Sequence, residues 1–110
     1  MSYNQRQQGD FTVIELSGDV DLARSPDARQ QILEVINNAQ HLLIDMSAVN
    51  YIDSSGIASL VEGYQTARKK SLKFGLVAVS SSAMSVLSLA RLDKVFPIHD
   101  SVEARLAADE

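Results

Sequence analysis

Three consecutive residues with oxygen-bearing side chains, Asp53-Ser54-Ser55, stand directly before Gly56 and a helical pattern, and they are the part of the chain best placed to do chemistry. Ile57, Leu60, Val61, Tyr64 and Ala67 recur at the i, i+3, i+4, i+7 and i+10 spacing that lines one stripe of a helix, with Glu62, Gln65, Arg68 and Lys69 largely elsewhere. The helix therefore starts near the serines. The first backbone N–H groups of a helix lack intrahelical partners, and a hydroxyl or carboxylate placed there accepts from them. One such residue suffices as a cap. Three in a row need a further reason, as does a glycine that costs up to about 1 kcal/mol inside a helix. A glycine here lets something approach the backbone closely.

Several chemistries could use these groups. A serine nucleophile needs a base within hydrogen-bond reach and an oxyanion hole. Gly-x-Ser-x-Gly is absent, and the only imidazoles are His41, which begins a strand, and His99, near the end of the chain. Asp45, Asp53 and Ser54 could be imagined around magnesium, but two carboxylates separated by a loop more often serve as caps and turn formers. The phosphate-binding pattern Gly-x-x-x-x-Gly-Lys-(Ser/Thr) does not occur. The residues do not read as an enzyme.

The elements that must position this stretch can be read along the chain. Leu42 to Met46 is an apolar strand, joined to Tyr51 by a short polar link. Tyr3 to Gln8 is a poor edge strand that the Gly9-Asp10 turn joins to a better one, Phe11 to Ser17, with Thr12, Ile14 and Leu16 on one side. Gly18-Asp19-Val20-Asp21 turns the chain out of the sheet, and Ser25-Pro26 reads as cap and first turn of a helix striped by Ala28, Ile32, Val35 and Ala39. Lys73 to Val79 is dense enough for a strand buried on both faces. Ser80-Ser81-Ser82 caps a helix striped by Met84, Leu87, Ala90 and Arg91. Val95-Phe96 is a short extended piece, and Asp100 with Glu103 opens a last helix carrying Val102 and Leu106. Strands separated by helices predict an α/β layout with helices covering one face of a mixed sheet.

The register Ile44-Asp45-Met46-Ser47-Ala48-Val49-Asn50-Tyr51-Ile52-Asp53-Ser54-Ser55-Gly56-Ile57 resembles the signature of the STAS domain, the fold of bacterial anti-sigma factor antagonists. Gly18-Asp19-Val20-Asp21 resembles a second family element, the Gly-(Glu/Asp)-(aliphatic)-Asp turn before the first helix. The resemblance runs over about residues 10–107 and implies one STAS-like domain across 1–110, with a mixed sheet of four to five strands and about four helices. It implies that Ser54 is phosphorylated by a partner kinase that doubles as an anti-sigma factor, with a PP2C-type phosphatase reversing the change. Asp21, Asp53, Ser54, Ser55 and Gly56 then lie on the partner-binding face, where Gly56 admits the kinase backbone. ATP and magnesium belong to the kinase, so no cofactor of its own is expected. An alternative within the same resemblance is an accessory subunit that docks on the ATPase of a lipid-transport ABC system. Two departures stand out: many members have a glycine pair where this chain has Lys70-Ser71, and a glycine where it has Arg91 before Leu92.

Composition narrows the class further. At 110 residues the chain fits one domain with its own core. It has no cysteine, which removes disulfides and thiol chemistry, and two histidines are too few for a zinc cluster. Net charge is −4 with no basic run longer than Arg68-Lys69-Lys70, so a protein partner is expected and not a nucleic acid. No apolar run approaches the length of a membrane span, and the polar stretch Met1 to Gly9 lacks a secretory apolar segment. The expected compartment is the cytoplasm.

Overall fold

Gly9, at φ +60°, reverses the chain with Asp10 between strands β1 (Asn4–Gln8) and β2 (Phe11–Val20), which pair antiparallel. The computed structural model describes residues 3–108. The chain then alternates helix and strand: α1 (Ser25–Asn37), β3 (His41–Ile52), α2 (Ser54–Lys69), β4 (Phe74–Val77), α3 (Ser81–Leu89), β5 (Ile98–His99) and α4 (Val102–Ala107). The sheet order is β1-β2-β3-β4-β5, with every pair after the first hairpin parallel. The α/β layout is the one the sequence predicts, its four to five strands being five and its helices four, but only three of the helices cover one face, since α4 packs on the other.

Alternation in β2 decides which side chains meet which helices. Ile14 and Leu16 join Ile44, Met46, Ile32, Ile36, Leu60 and Leu87 in the main core, so α1, α2 and α3 share one face of the sheet. Phe11 and Val13 point the other way, onto Leu43, Val77 and Val102 of α4. The Arg105 guanidinium lies over the Phe11 ring at 4.9 Å. All four residues of β4 are buried, as a strand covered on both faces requires. Where α1 and α2 meet, Gly63 allows the close contact, because a Cβ there would lie 2.5 Å from Ile32 Cγ2 and force one of them to shift. Among the described residues no helix is long and apolar enough to cross a membrane.

The largest difference from the sequence reading is at the carboxyl ends of β2 and β3. Gly18-Asp19-Val20 is not a turn: it continues β2, and the polar stretch Ser47 to Asn50 is not a link but the second half of β3. The two strands satisfy each other's backbone groups as far as Val20 opposite Ile52, with bulges that let the 12 residues of β3 match the 10 of β2. Gly18 takes φ +69° at one of these irregularities, and Asp45 accepts the Ser47 N–H at 2.9 Å at the other. The turn begins only at Asp21, whose carboxylate accepts the N–H groups of Ala23 and Arg24, both at 3.1 Å. Helix α1 consequently has Arg24 at its cap position, and Ser25 is its buried first residue.

Smaller corrections have local causes. Ala39 lies beyond α1 at φ +60°, so the stripe closes on Ile36 instead. The core face of α3 is Ala83, Val86 and Leu87, since Arg91 at φ +60° stops the chain before Ala90 and Arg91 can extend the expected stripe. Val95-Phe96 follows a 3-10 turn, and the short strand comes after Pro97, whose carbonyl accepts from Leu76 N–H. Ser101, not Asp100, caps α4 by accepting the Ala104 N–H at 2.9 Å. Ser80 caps α3 as expected, accepting from Ala83 N–H.

Ser71 (φ 59°) and Arg91 (φ 60°) both sit in the left-handed region, at the two places where the resemblance leads one to expect glycine. An L-residue pays a steric cost there that glycine avoids. Ser71→Gly and Arg91→Gly should each raise stability by about 0.5–1 kcal/mol in urea unfolding, and together they should add, being in separate turns.

Candidate functional site

The second half of the β2–β3 pairing brings the two sequence motifs together. After Val20 and Ile52, buried opposite each other, the Asp53 N–H continues the ladder onto the Val20 carbonyl at 3.4 Å. Asp21 leads directly into the α1 turn and Asp53 directly into α2, so both aspartates lie at the carboxyl ends of adjacent parallel strands. In α/β sheets this is the end where loops gather to bind.

Asp53 is the cap of α2. With extended backbone (φ −109°, ψ −171°), its Oδ1 accepts from Ser55 N at 2.9 Å, Gly56 N at 3.2 Å and Ser55 Oγ at 2.5 Å. The Ser55 hydroxyl, then burial in opposition, then the Gly56 and Ser55 N–H groups govern its acidity, with a last contribution from the Leu22 N–H across the gap; the net effect holds the carboxyl below its ordinary 3.8. A carboxylate stabilised in the folded state contributes stability that is present above the unfolded value and is lost as pH falls through the folded one. Asp53→Asn should therefore lower the melting temperature at neutral pH and flatten its decline between about pH 5 and pH 3, measured as melting temperature against pH.

The three oxygen side chains thus separate into distinct tasks. Asp53 caps, and Ser55 is tied to Asp53. Ser54, the first residue of α2, is exposed, and its hydroxyl makes no hydrogen bond among the described residues. Deeper in the helix Ser59 Oγ donates to the Ser25 carbonyl at 3.3 Å and the Ser55 carbonyl at 3.2 Å, which fastens the starts of α1 and α2 to each other.

Gly56 answers a need inside the chain. A Cβ there would meet the Val20 carbonyl oxygen at 2.6 Å, Ile52 Cγ1 at 2.7 Å and Val20 Cγ1 at 3.0 Å. The close approach that the glycine permits is between α2 and its own sheet, and the residue is buried. Asp21 is half-buried with its carboxylate engaged in the turn. At the same ends of β2 and β3 are two residues that sequence reasoning did not place in the site, Leu22 and Tyr51, whose apolar side chains are exposed. The sequence held a trace of Tyr51, which alternates with the buried Ile52, whereas Leu22 gave only an apolar residue between Asp21 and Ala23.

The histidines are elsewhere. His41 begins β3, at the opposite end of that strand from Ser54, and its Nδ1 accepts the Lys73 N–H at 2.9 Å. His99 pairs with Val77, which lies level with Asp45. Among the described residues no group of three histidine, cysteine, aspartate or glutamate side chains is arranged to hold a metal ion.

Comparison with known proteins bears on the family and the fold. The family model described as STAS domain matches residues 2–104. The anti-sigma-F factor antagonist RsfB of Mycobacterium tuberculosis is 33% identical over 97 residues, covering 86% of this chain and 77% of that protein. The solved structure of an anti-sigma factor antagonist from Mycobacterium paratuberculosis matches with a TM-score of 0.86 at 28% identity, over 96% of this chain and 90% of that one. SpoIIAA, described as a Bacillus cell fate determinant and solved in its phosphorylated form, matches with a TM-score of 0.74 at 16% identity over 96% of each chain, a likeness of fold.

Proposed function

The chain belongs to the STAS domain family, and from that premise we propose that it is an anti-sigma factor antagonist controlled by phosphorylation of Ser54. The unphosphorylated form binds an anti-sigma factor that is also a serine kinase. Phosphorylation releases it, and a PP2C-type phosphatase restores binding.

One observation carries this reading: of the oxygen side chains at the start of α2, Ser54 alone is exposed with its hydroxyl uncommitted among the described residues. In the transfer, Ser54 Oγ attacks the γ-phosphorus of ATP, the new P–O bond forms as the bond to ADP breaks, and the hydroxyl proton passes to a base on the kinase. This chain supplies the acceptor and its placement; Asp53 and Ser55 fix the helix start that carries it. The product is tolerated by the fold: Asp53 already accepts the Ser55 and Gly56 N–H groups, and what favours an anion at Ser54 is the positive end of the helix dipole. The product is unfavourable for a flush partner, which must desolvate a charge of about −1.5 to −2 next to Asp53.

Titration calorimetry with the purified anti-sigma factor encoded nearest the gene tests the reading. Binding by the unphosphorylated chain, and recovery of binding after phosphatase treatment of the phosphorylated one, is the expected result. Recovery of a transporter ATPase as the stable partner, with no binding to the anti-sigma factor, would replace it with the docking-subunit alternative.

A further inference from the structure

Leu22, which follows Asp21, is 75% exposed, and Tyr51, near the end of the strand that leads to Ser54, is 51% exposed, both outside either core cluster. Leu22 lies in the turn that follows Val20, whose carbonyl accepts the Asp53 N–H, and Tyr51 sits two residues before that aspartate, opposite Asp19 at the end of the sheet. Both side chains therefore stand on backbone already fixed, one by the turn that Asp21 organises and one by the β2–β3 ladder. Presenting them to a partner costs little ordering.

Charge decides what kind of surface fits. At this end Asp19, Asp21 and Asp53 outnumber Arg24, which lies beside Gly18 in the same turn, while Arg68, Lys69 and Lys70 lie at the far end of the 16-residue α2. A second copy bringing the same acidic end would be repelled, whereas a protein surface with apolar pockets ringed by lysine or arginine is complementary. Exposed carboxylates mainly steer the approach; large apolar side chains that become fully buried carry the affinity.

We propose that Leu22 and Tyr51 are the apolar anchors by which a basic-rimmed partner protein grips this chain and holds Ser54 in place for phosphoryl transfer. The inference rests on the reading of Ser54 as the acceptor. It separates recognition, by the two anchors, from the switch, by the serine.

The test is steady-state phosphorylation, by the serine kinase encoded nearest the gene with ATP and magnesium, of the wild type, Leu22→Ala, Tyr51→Ala and Leu89→Ala. Leu89, 88% exposed on α3, is a control of equal apolar character away from the site. The two anchor variants should each raise KM for the chain by about 10- to 30-fold with kcat kept, the range of a buried hot-spot side chain. Leu89→Ala should change neither constant. Melting temperatures should be unchanged in all three, as for surface substitutions generally. A wild-type KM in both anchor variants would overturn the inference and leave the switch standing. A raised KM that tracks a lowered melting temperature would also overturn it, by assigning the residues to folding. A wild type that takes no phosphate would overturn the inference together with the reading beneath it.

Discussion

Phosphorylated chain should bind the anti-sigma factor about a thousandfold more weakly than the unmodified chain, with Ser54→Asp falling short of that and Ser54→Ala binding like wild type. The magnitude follows from the interface and not from the fold. A dianion placed where a partner packs must lose its water beside the Asp53 carboxylate, and such a like-charge juxtaposition costs several kcal/mol. About 4 kcal/mol corresponds to that thousandfold change. Aspartate carries one charge at the end of a shorter side chain, so it reproduces the direction and only part of the size. The melting temperature should hardly move, because Ser54 is exposed and a negative group at the first turn of α2 lies at the positive end of the helix dipole. Ser55→Ala should behave in the opposite way: it loses the 2.5 Å bond to Asp53 and some stability, yet still accepts phosphate on Ser54. Titration calorimetry and thermal melts on the same samples separate the two patterns.

Gly56→Ala should be the most damaging single methyl in this region. Its Cβ would lie 2.6 Å from the Val20 carbonyl oxygen and 2.7 Å from Ile52 Cγ1, and the first of these is backbone already paired in the sheet. The helix start must move off β2 and β3 to make room. Overpacking of this kind costs about 1–3 kcal/mol, and the gain in helix propensity offsets up to about 1 kcal/mol of it. A net loss of about 2 kcal/mol, at the upper part of that range, lowers the melting temperature of a domain this size by roughly 10 °C. The folded fraction should also be a poorer phosphoacceptor, since the shift displaces Ser54 relative to Asp21 and Leu22. A variant that melts like wild type would contradict the packing described for this glycine.

Much of this was legible in the residues. The helix after the serines could be read because its stripe and its cap types are neighbours in sequence, and Asp53 does cap it. The ends of β2 and β3 were not legible, for a physical reason: bulges break the alternation by which strands are recognised, and only the pairing of Val20 with Ile52 shows that Gly18 and Ser47 to Asn50 belong to the sheet. Sequence also could not rank Asp53, Ser54 and Ser55, because each is a competent cap and the choice depends on which oxygen faces the N–H groups. Gly56 was legible as a place of close approach but not as to what approaches. The meeting of the Asp21 turn with Asp53 is tertiary, set by two strands ending side by side.

The most direct measurement is intact mass, followed by fragment mapping, of the chain after incubation with ATP, magnesium and the serine kinase encoded nearest its gene, with Ser54→Ala and Ser55→Ala alongside. One phosphate on Ser54, present in Ser55→Ala and absent in Ser54→Ala, is the predicted result. Phosphate on Ser55, or equal labelling of Ser54→Ala and wild type, would contradict the account.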